Sequence, residues 1–186
     1  MQPINKSLKI LFLSNSLFVF ASSLLGPLYA LYVEGIDGKI LSVSFSWFAF
    51  IVSSLFFTYL VGRYGDKIKE KEYLLLAGYL LRACVWIFFI FVTNISSLII
   101  LQIILGIGDA LGSPAFESIF ATHLDREQSI SNYSTWKLFE RVAIAAATLL
   151  GGFIVSLFGF SPLFIIMSLL ALISFSIVLF QPRKLL

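Results

Sequence analysis

The sequence predicts an all-α transmembrane protein, and three observations support this fold class. Of its 186 residues, 59% are hydrophobic and 12% charged, with a mean hydropathy of +0.98, whereas about 25% of the residues in soluble domains are charged. The apolar residues form six runs, and each run has the roughly 20 residues that a membrane-spanning helix needs. These runs are continuous rather than alternating and about twice as long as a barrel strand, which excludes a transmembrane β-barrel.

The six runs make a single six-helix transmembrane domain over residues 1–186, with spans at about 9–33, 42–63, 73–93, 97–121, 133–157 and 161–181. The joints between them are short and contain charged residues, glycine, asparagine or proline, which end a helix. They lie at 34–39, 63–72, 93–96, 123–132 and 159–162. No small-residue cleavage site follows a short apolar core in the first run, so we expect it to remain as the first span rather than to be removed as a signal peptide.

The basic residues predict how the chain is oriented in the membrane. Ten of them lie on the side that carries both termini, against Lys39 alone on the other side. The ten are Lys6, Lys9, Arg63, Lys67, Lys69, Lys71, Arg126, Lys137, Arg183 and Lys184. Cytoplasmic loops carry an excess of lysine and arginine, so both termini should be cytoplasmic, in a plasma (inner) membrane. One fixed orientation also means that any dimer is parallel.

The sequence lacks the features of an enzyme, a cofactor site or a nucleic-acid-binding protein. Its single cysteine, Cys84, and single histidine, His123, exclude a cysteine metal cluster and most zinc chemistry. It has no Walker loop, no HExxH and no Gly-x-Ser-x-Gly motif. The net charge of +3 is distributed between hydrophobic runs instead of on one surface. We therefore expect no catalysis, no metal, no cofactor and no nucleic-acid partner; the expected partners are the lipid bilayer and a small-molecule substrate.

The fourth span carries a polar stripe inside the membrane. At 100° per residue, five of its residues share an arc of about 80°, and these are Gln102, Gly106, Asp109, Ser113 and Glu117. A charge at the bilayer centre is unfavourable and normally faces a cavity or a partner. This face of the fourth span therefore predicts the wall of a substrate cleft.

The fifth and first spans carry polar faces of the same kind. The polar face of the fifth span consists of Lys137, Arg141 and Thr148, with Glu140 beside them. The polar face of the first span consists of Asn15, Ser22, Gly26 and Tyr29. Three such faces predict a shared cleft lined by the first, fourth and fifth spans. Asp109, Glu117, Lys137, Glu140 and Arg141 are the candidates for ion pairing or coupling, because Arg141 is within reach of both Asp109 and Glu117.

A purely structural alternative stays open, in which internal ion pairs hold the bundle together without any transport. In that case Asp109 pairs with Arg141 or with Arg82. Arg82 itself, in the third span, has three possible positions: extended to the membrane surface, paired with an acid, or at a contact with another subunit.

The joint after the second span reads Gly62-Arg63-Tyr64-Gly65-Asp66-Lys67-Ile68-Lys69-Glu70-Lys71. It resembles the Gly-x-x-x-Asp-Arg/Lys-x-Gly-Arg/Lys-Arg/Lys signature between the second and third helices of the major facilitator superfamily. The matching residues are Gly62, Asp66, Lys67 and Lys71, whereas Lys69 and Glu70 depart from the signature. The resemblance implies a conformational latch, in which Asp66 caps a neighbouring helix and pairs with nearby basic residues in one state only. The alternative is a charge cluster that merely fixes topology.

The fourth and fifth spans resemble the same family. Gly106, Gly108, Pro114 and Ala115 match its fourth-helix pattern, with Gln102 in place of an arginine, and Gly151 and Gly152 match half of an exporter signature in its fifth helix. The resemblance implies a six-helix bundle like one half of a major facilitator superfamily transporter, the N-terminal half, built from two inverted three-helix repeats. Asp109 and Glu117 are then titratable substitutes for the missing arginine.

In that family, two six-helix halves hold the substrate near the midplane between them. The resemblance therefore implies a half-size secondary transporter that acts as a parallel homodimer. The aromatic and weakly polar lining of the predicted cleft favours export of a small amphipathic or lipophilic compound, with ion or proton coupling through Asp109, Glu117 and Arg141. One alternative is a non-transporting membrane subunit that pairs with a separate C-terminal-half chain. Another is a truncated gene whose missing half completed the transporter.

Overall fold

A computed structural model of the protein describes residues 6–68, 70–122 and 129–181, and in these ranges it contains only α-helices, short 3-10 turns and loops. The helices are α1 (Lys6–Ser23), α2 (Tyr29–Asp37), α3 (Ile40–Tyr64), α4 (Glu72–Phe89), α5 (Ile95–Thr122), α6 (Ser129–Phe158) and α7 (Phe160–Leu179). Six segments of this part of the chain are long and apolar enough to cross a membrane, and α1 and α2 together form the first of them. The prediction of an all-α protein with six spans is confirmed.

The first span differs from the continuous helix that the sequence analysis assumed. α1 ends at Ser23, and a 3-10 turn over Gly26–Leu28 leads into α2. Pro27 explains this break, because proline cannot donate a backbone hydrogen bond and restricts the residue before it. Gly26 and Tyr29 are therefore separated by the break from the rest of the predicted polar face of this span.

The helices form an open arc. α3 packs on α5, α5 on α4, α4 on α7, α7 on α1, and α1 on α6. When each of the first three spans is exchanged with its counterpart among the last three, the same order results, read in the opposite direction. This symmetry is expected for two three-helix repeats. The fourth span begins on the opposite side of the bundle from the first, so the repeats are inverted. α3 and α6 are the two ends of the arc.

Two sides of the bundle are named here for later use. The terminal side carries the start of α1, the joint between α3 and α4, and the end of α7. The distal side carries the joints that contain Gly38, Asn94 and Gly159. The first and last described residues, Lys6 and Gln181, are both on the terminal side.

Glycines allow α4 and α5 to approach closely. A Cβ atom built on Gly78 of α4 would lie 2.7 Å from the Cα of Gly112 and 2.8 Å from the carbonyl oxygen of Gly108. Small residues at such an interface let two helix backbones come together. Arg82, one turn after Gly78, also lies against these glycines, since a Cβ on Gly108 would be 2.9 Å from its Cγ.

Candidate functional site

An ion pair between α4 and α5 lies at mid-depth in the bundle. Arg82 Nη2 is 3.3 Å from Asp109 Oδ1, and it donates hydrogen bonds to the carbonyl oxygen of Gly108 at 3.1 Å and to Ser113 Oγ at 3.4 Å. At 1.5 Å per residue, Arg82 lies about 15 Å from the terminal end of α4 and Asp109 about 20 Å from that of α5. Both charges are therefore deep in the membrane, where an ionised side chain needs a partner.

Asp109 is held by three helices. Its Oδ2 accepts a hydrogen bond from Ser54 of α3 at 2.8 Å, and its Oδ1 accepts one from Ser113 of α5 at 2.9 Å, in addition to the contact with Arg82 of α4. Even so, 33% of the Asp109 side chain is exposed, compared with 11% for Arg82. The acid is therefore the more accessible member of the pair.

Arg82 also contacts α1. The centre of its guanidinium lies 4.7 Å from the ring centroid of Phe18, a favourable cation–π geometry. Its Nε is buried and has no hydrogen-bond partner in the described part of the chain. One side chain thus joins the third span to the first and the fourth.

Arg82 separates two cavities. The distal cavity, of about 280 Å³, has aromatic and aliphatic walls with a few polar groups. It is lined by Ser22, Leu25, Gly26, Tyr29, Trp47, Phe50, Arg82, Trp86, Phe89, Gln102, Leu105, Asp109 and Met167. The terminal cavity, of about 150 Å³, has more charged groups among its lining residues, including Glu117, Lys137 and Glu140. Arg82 and Ser22 line both cavities, so the ion pair lies at the junction of a distal and a terminal compartment.

Contacts cross the cleft between its walls at both ends. On the distal side, Tyr29 donates a hydrogen bond of 2.6 Å to Ser46 Oγ and joins α2 to α3. On the terminal side, the rings of Phe116 and Trp136 join α5 to α6 with 5.5 Å between their centroids. The two ends of the cleft are therefore bridged by different pairs of helices: α2 and α3 on the distal side, α5 and α6 on the terminal side.

The residues predicted for the cleft are distributed between the two cavities. Tyr29, Gly26, Gln102 and Asp109 line the distal cavity, Asn15 and Ser113 line the terminal cavity, and Ser22 lines both. Thr148 lines neither cavity, and its hydroxyl donates to the carbonyl oxygen of Ile144 on its own helix at 2.9 Å. The structure thus brings together most of the predicted set, but not around one compartment.

The charged candidates also separate. Lys137 and Glu140 form an ion pair of 2.7 Å along α6, and the ammonium of Lys137 lies 3.9 Å from the ring centroid of Trp136. Glu117 and Arg141 are exposed and form no ion pair with any residue that the structure describes. Of the two partners left open for Asp109, Arg82 is the one in contact.

The cleft has lining residues in the second and third spans that the sequence analysis did not identify. They are Trp47 and Phe50 of α3, and Leu75, Tyr79, Trp86 and Phe89 of α4; Arg82, whose position the sequence left open, lines the cleft as well. One signal for Arg82 was present in the sequence, because Gly78, one turn earlier, marks the face of α4 that packs against α5.

At the predicted latch, a side chain of the joint contacts the bundle. Lys71 Nζ donates a hydrogen bond of 2.7 Å to Ser118 Oγ of α5, while Lys67 Nζ lies 5.4 Å from the ring centroid of Tyr64. Gly62 is exposed. The side chain of Asp66 lies outside the described part of the structure, so the latch stays a prediction.

Comparisons with known proteins bear on this architecture. Residues 11–185 match the family model of the Major Facilitator Superfamily. The chain is 30% identical over 161 residues to the uncharacterized MFS-type transporter YitZ of Bacillus subtilis (strain 168), an alignment that covers 83% of this chain and 94% of YitZ. It is 26% identical over 168 residues to the multidrug resistance protein MdtG of Dickeya zeae (strain Ech586), covering 88% of this chain and 41% of MdtG.

The fold is similar to that of the POT family transporter PepTSo, whose crystal structure was determined in meso. The TM-score is 0.81 at 13% identity, with 95% of this chain and 37% of that chain covered. The chain thus spans less than half of the length of MdtG and of PepTSo, and nearly all of YitZ. Its six apolar spans make it an integral multi-pass membrane protein, and the family match over almost its whole length shows that it belongs to the major facilitator superfamily.

Proposed function

We propose that the protein is a secondary transporter that works as a parallel homodimer, with a substrate cleft between the two copies. One observation carries this proposal: charged side chains of the spanning helices line the two cavities and are exposed there. Asp109 is 33% exposed and Lys137 36% exposed, and Glu117 is exposed as well. A charge that faces lipid is unfavourable by a few kcal/mol, so these cavities need a polar cover.

A second copy, rotated by 180° about the membrane normal, supplies such a cover, because each arc then faces the other across a shared cleft. The terminal side would face the cytoplasm of a plasma membrane, as the distribution of basic residues predicts. The match to YitZ over 94% of its length supports a functional unit built from chains of this size.

The distal cavity supports a small amphipathic or lipophilic substrate. Its walls include the rings of Tyr29, Trp47, Phe50 and Trp86, and Gln102 and Asp109 add polar atoms. The name of the relative MdtG, a multidrug resistance protein, favours export as the direction. In this role the protein moves its substrate without chemical change.

The ion pair between the two cavities offers a mechanism for coupling. When Asp109 takes up a proton, its attraction for Arg82 weakens, and the helices that the pair joins are freer to move apart. Loss of the proton restores the pair. Because Arg82 borders both cavities, this change would favour an opening to one side over an opening to the other.

Proton-driven flux tests the coupling. In proteoliposomes with an imposed pH gradient, we expect Asp109→Asn to lower the gradient-driven uptake of a panel of amphipathic dyes, ethidium among them, by about tenfold, the equivalent of about 1.4 kcal/mol. Glu117→Gln should have a smaller effect, because Glu117 is not part of the central pair. Lys39→Gln, on the exposed distal joint, is the control. Wild-type flux in both acid variants would contradict the coupling role.

The match to 41% of MdtG favours one second candidate, a subunit that pairs with a separate C-terminal-half chain. Cross-linking in native membranes distinguishes the two. The homodimer predicts a product of twice the chain mass, in which both copies have the same orientation. Monomers alone, or antiparallel pairs, would contradict it, and a product that contains a different polypeptide would support the second candidate.

A further inference from the structure

Buried side-chain polar atoms that lack a hydrogen-bond partner among the described residues are concentrated on the walls of the cleft. They are Gln102 Oε1, Arg82 Nε and Trp136 Nε1. Gln102 lines the distal cavity, Trp136 the terminal cavity and Arg82 both. Most buried polar groups in folded proteins are hydrogen-bonded, and each exception needs an explanation. The position of these atoms indicates that their partners are molecules that enter the cleft.

Gln102 Oε1 is the acceptor among these atoms, and its surroundings are closely packed. Gln102 is 1% exposed. One turn further along α5, a Cβ atom built on Gly106 would lie 2.6 Å from the carbonyl oxygen of Phe50 in α3. A buried amide oxygen beside such a tight helix contact is unfavourable when it stays unpaired. A bound molecule that donates a hydrogen bond to it removes this penalty.

Tyr29 determines which end of the amide is left without a partner. Its hydroxyl donates a hydrogen bond of 2.6 Å to Ser46 Oγ, and Ser46 in turn donates one of 3.0 Å to the carbonyl oxygen of Val43. A hydroxyl has a single proton to donate. The side chain of Gln102 also interacts with the Tyr29 hydroxyl, and it can therefore act only as the donor there. The NH₂ group of the amide thus faces Tyr29, and Oε1 remains available as an acceptor.

The charges at the distal cavity are already satisfied within the bundle. Asp109 Oδ1 is 3.3 Å from Arg82 Nη2, and the two carboxylate oxygens accept hydrogen bonds from Ser113 and Ser54. The other walls are mainly aromatic and aliphatic. In such a site, a buried acceptor discriminates against a ligand without the matching donor, because the acceptor then stays unpaired.

We propose that Gln102 determines substrate specificity, with its Oε1 accepting a hydrogen bond from an N–H or O–H group of a substrate in the distal cavity. The cavity thus selects amphipathic compounds that carry such a donor over analogues in which the donor is blocked. This inference rests on the substrate cleft of the proposed function and names the chemical group that the cleft recognises.

A pair of small fluorescent probes tests this selection on the full chain in lipid nanodiscs. Dansylamide carries two sulfonamide N–H donors, and N,N-dimethyldansylamide has the same scaffold with both donors blocked. Trp47 and Trp86 line the distal cavity, so saturable energy transfer from tryptophan to the dansyl group reports binding there. We expect the wild-type chain to bind dansylamide about tenfold more tightly than the dimethyl probe.

Gln102→Met, which replaces the amide with an apolar side chain of similar length, assigns this preference to one residue. It should weaken the binding of dansylamide about tenfold and leave that of the dimethyl probe unchanged. The matched control is Thr148→Val, because the Thr148 hydroxyl bonds within its own helix, and it should change neither affinity.

Two kinds of failure are distinguishable. Equal wild-type affinities for the two probes, or an equal loss of both in Gln102→Met, would contradict the specificity role of Gln102 and leave the cleft intact. If the wild-type chain binds neither probe, the substrate cleft of the proposed function is overturned as well.

Discussion

Asp109→Ala is expected to lower the free energy of unfolding by about 3 kcal/mol, because it removes the counter-ion of a base deep in the membrane. Arg82 would keep its charge at 11% exposure, and its remaining contacts among the described residues would be the Gly108 carbonyl, the Ser113 hydroxyl and the Phe18 ring. Reversible unfolding in mixed detergent micelles, followed by tryptophan fluorescence, measures the loss.

Removing the base instead of the acid, with Arg82→Met, should lower the free energy of unfolding by less, about 1–2 kcal/mol. Asp109 would still accept hydrogen bonds from Ser54 and Ser113 and would keep a third of its surface exposed. The double variant Arg82→Met/Asp109→Leu removes both charges and should be more stable than Asp109→Ala, since an apolar pair replaces a buried ion pair at little cost.

The Lys137–Glu140 pair is the matched control for this series. It spans one turn of a single helix, with 36% and 18% of its side chains exposed, so Glu140→Ala should change stability by less than about 1 kcal/mol. If the Asp109→Ala variant is as stable as the wild type, the buried charge of Arg82 does not need Asp109 as its counter-ion.

Gly151→Ala should destabilise the bundle by about 2–3 kcal/mol or prevent its assembly. A Cβ atom at this position would collide with the backbone carbonyl oxygen of Leu24, at the break between α1 and α2. Backbone cannot move aside as a flexible side chain does, so α6 has to separate from the first span. The same unfolding measurement reports the effect.

The adjacent glycine gives a control on the same helix. A Cβ at Gly152 meets nothing within 4 Å, and alanine is a better helix former than glycine by about 1 kcal/mol. Gly152→Ala should therefore leave stability unchanged or raise it slightly. Equal destabilisation by the two substitutions would contradict the close approach of α6 to Leu24.

Much of the site was predictable from periodicity alone. The polar stripe of the fourth span places Gln102, Asp109 and Ser113 on one face, and all three line a cavity in the structure. These side chains share a face because the 3.6-residue period of a helix decides which residues lie on the same side, whatever the helix packs against. The break in the first span was less evident, although Pro27 is a local signal that a continuous helix is interrupted.

The sequence by itself determined the six spans, the inverted repeat implied by the family resemblance, and the polar faces, because each depends on local composition and helix period. Only the tertiary structure decided which base meets Asp109. Arg141 and Arg82 were equally acceptable partners along the chain, and the choice depends on the close approach of α4 and α5 at Gly78, Gly108 and Gly112. Distances between helices are set by packing between distant parts of the chain, which periodicity within one helix does not contain.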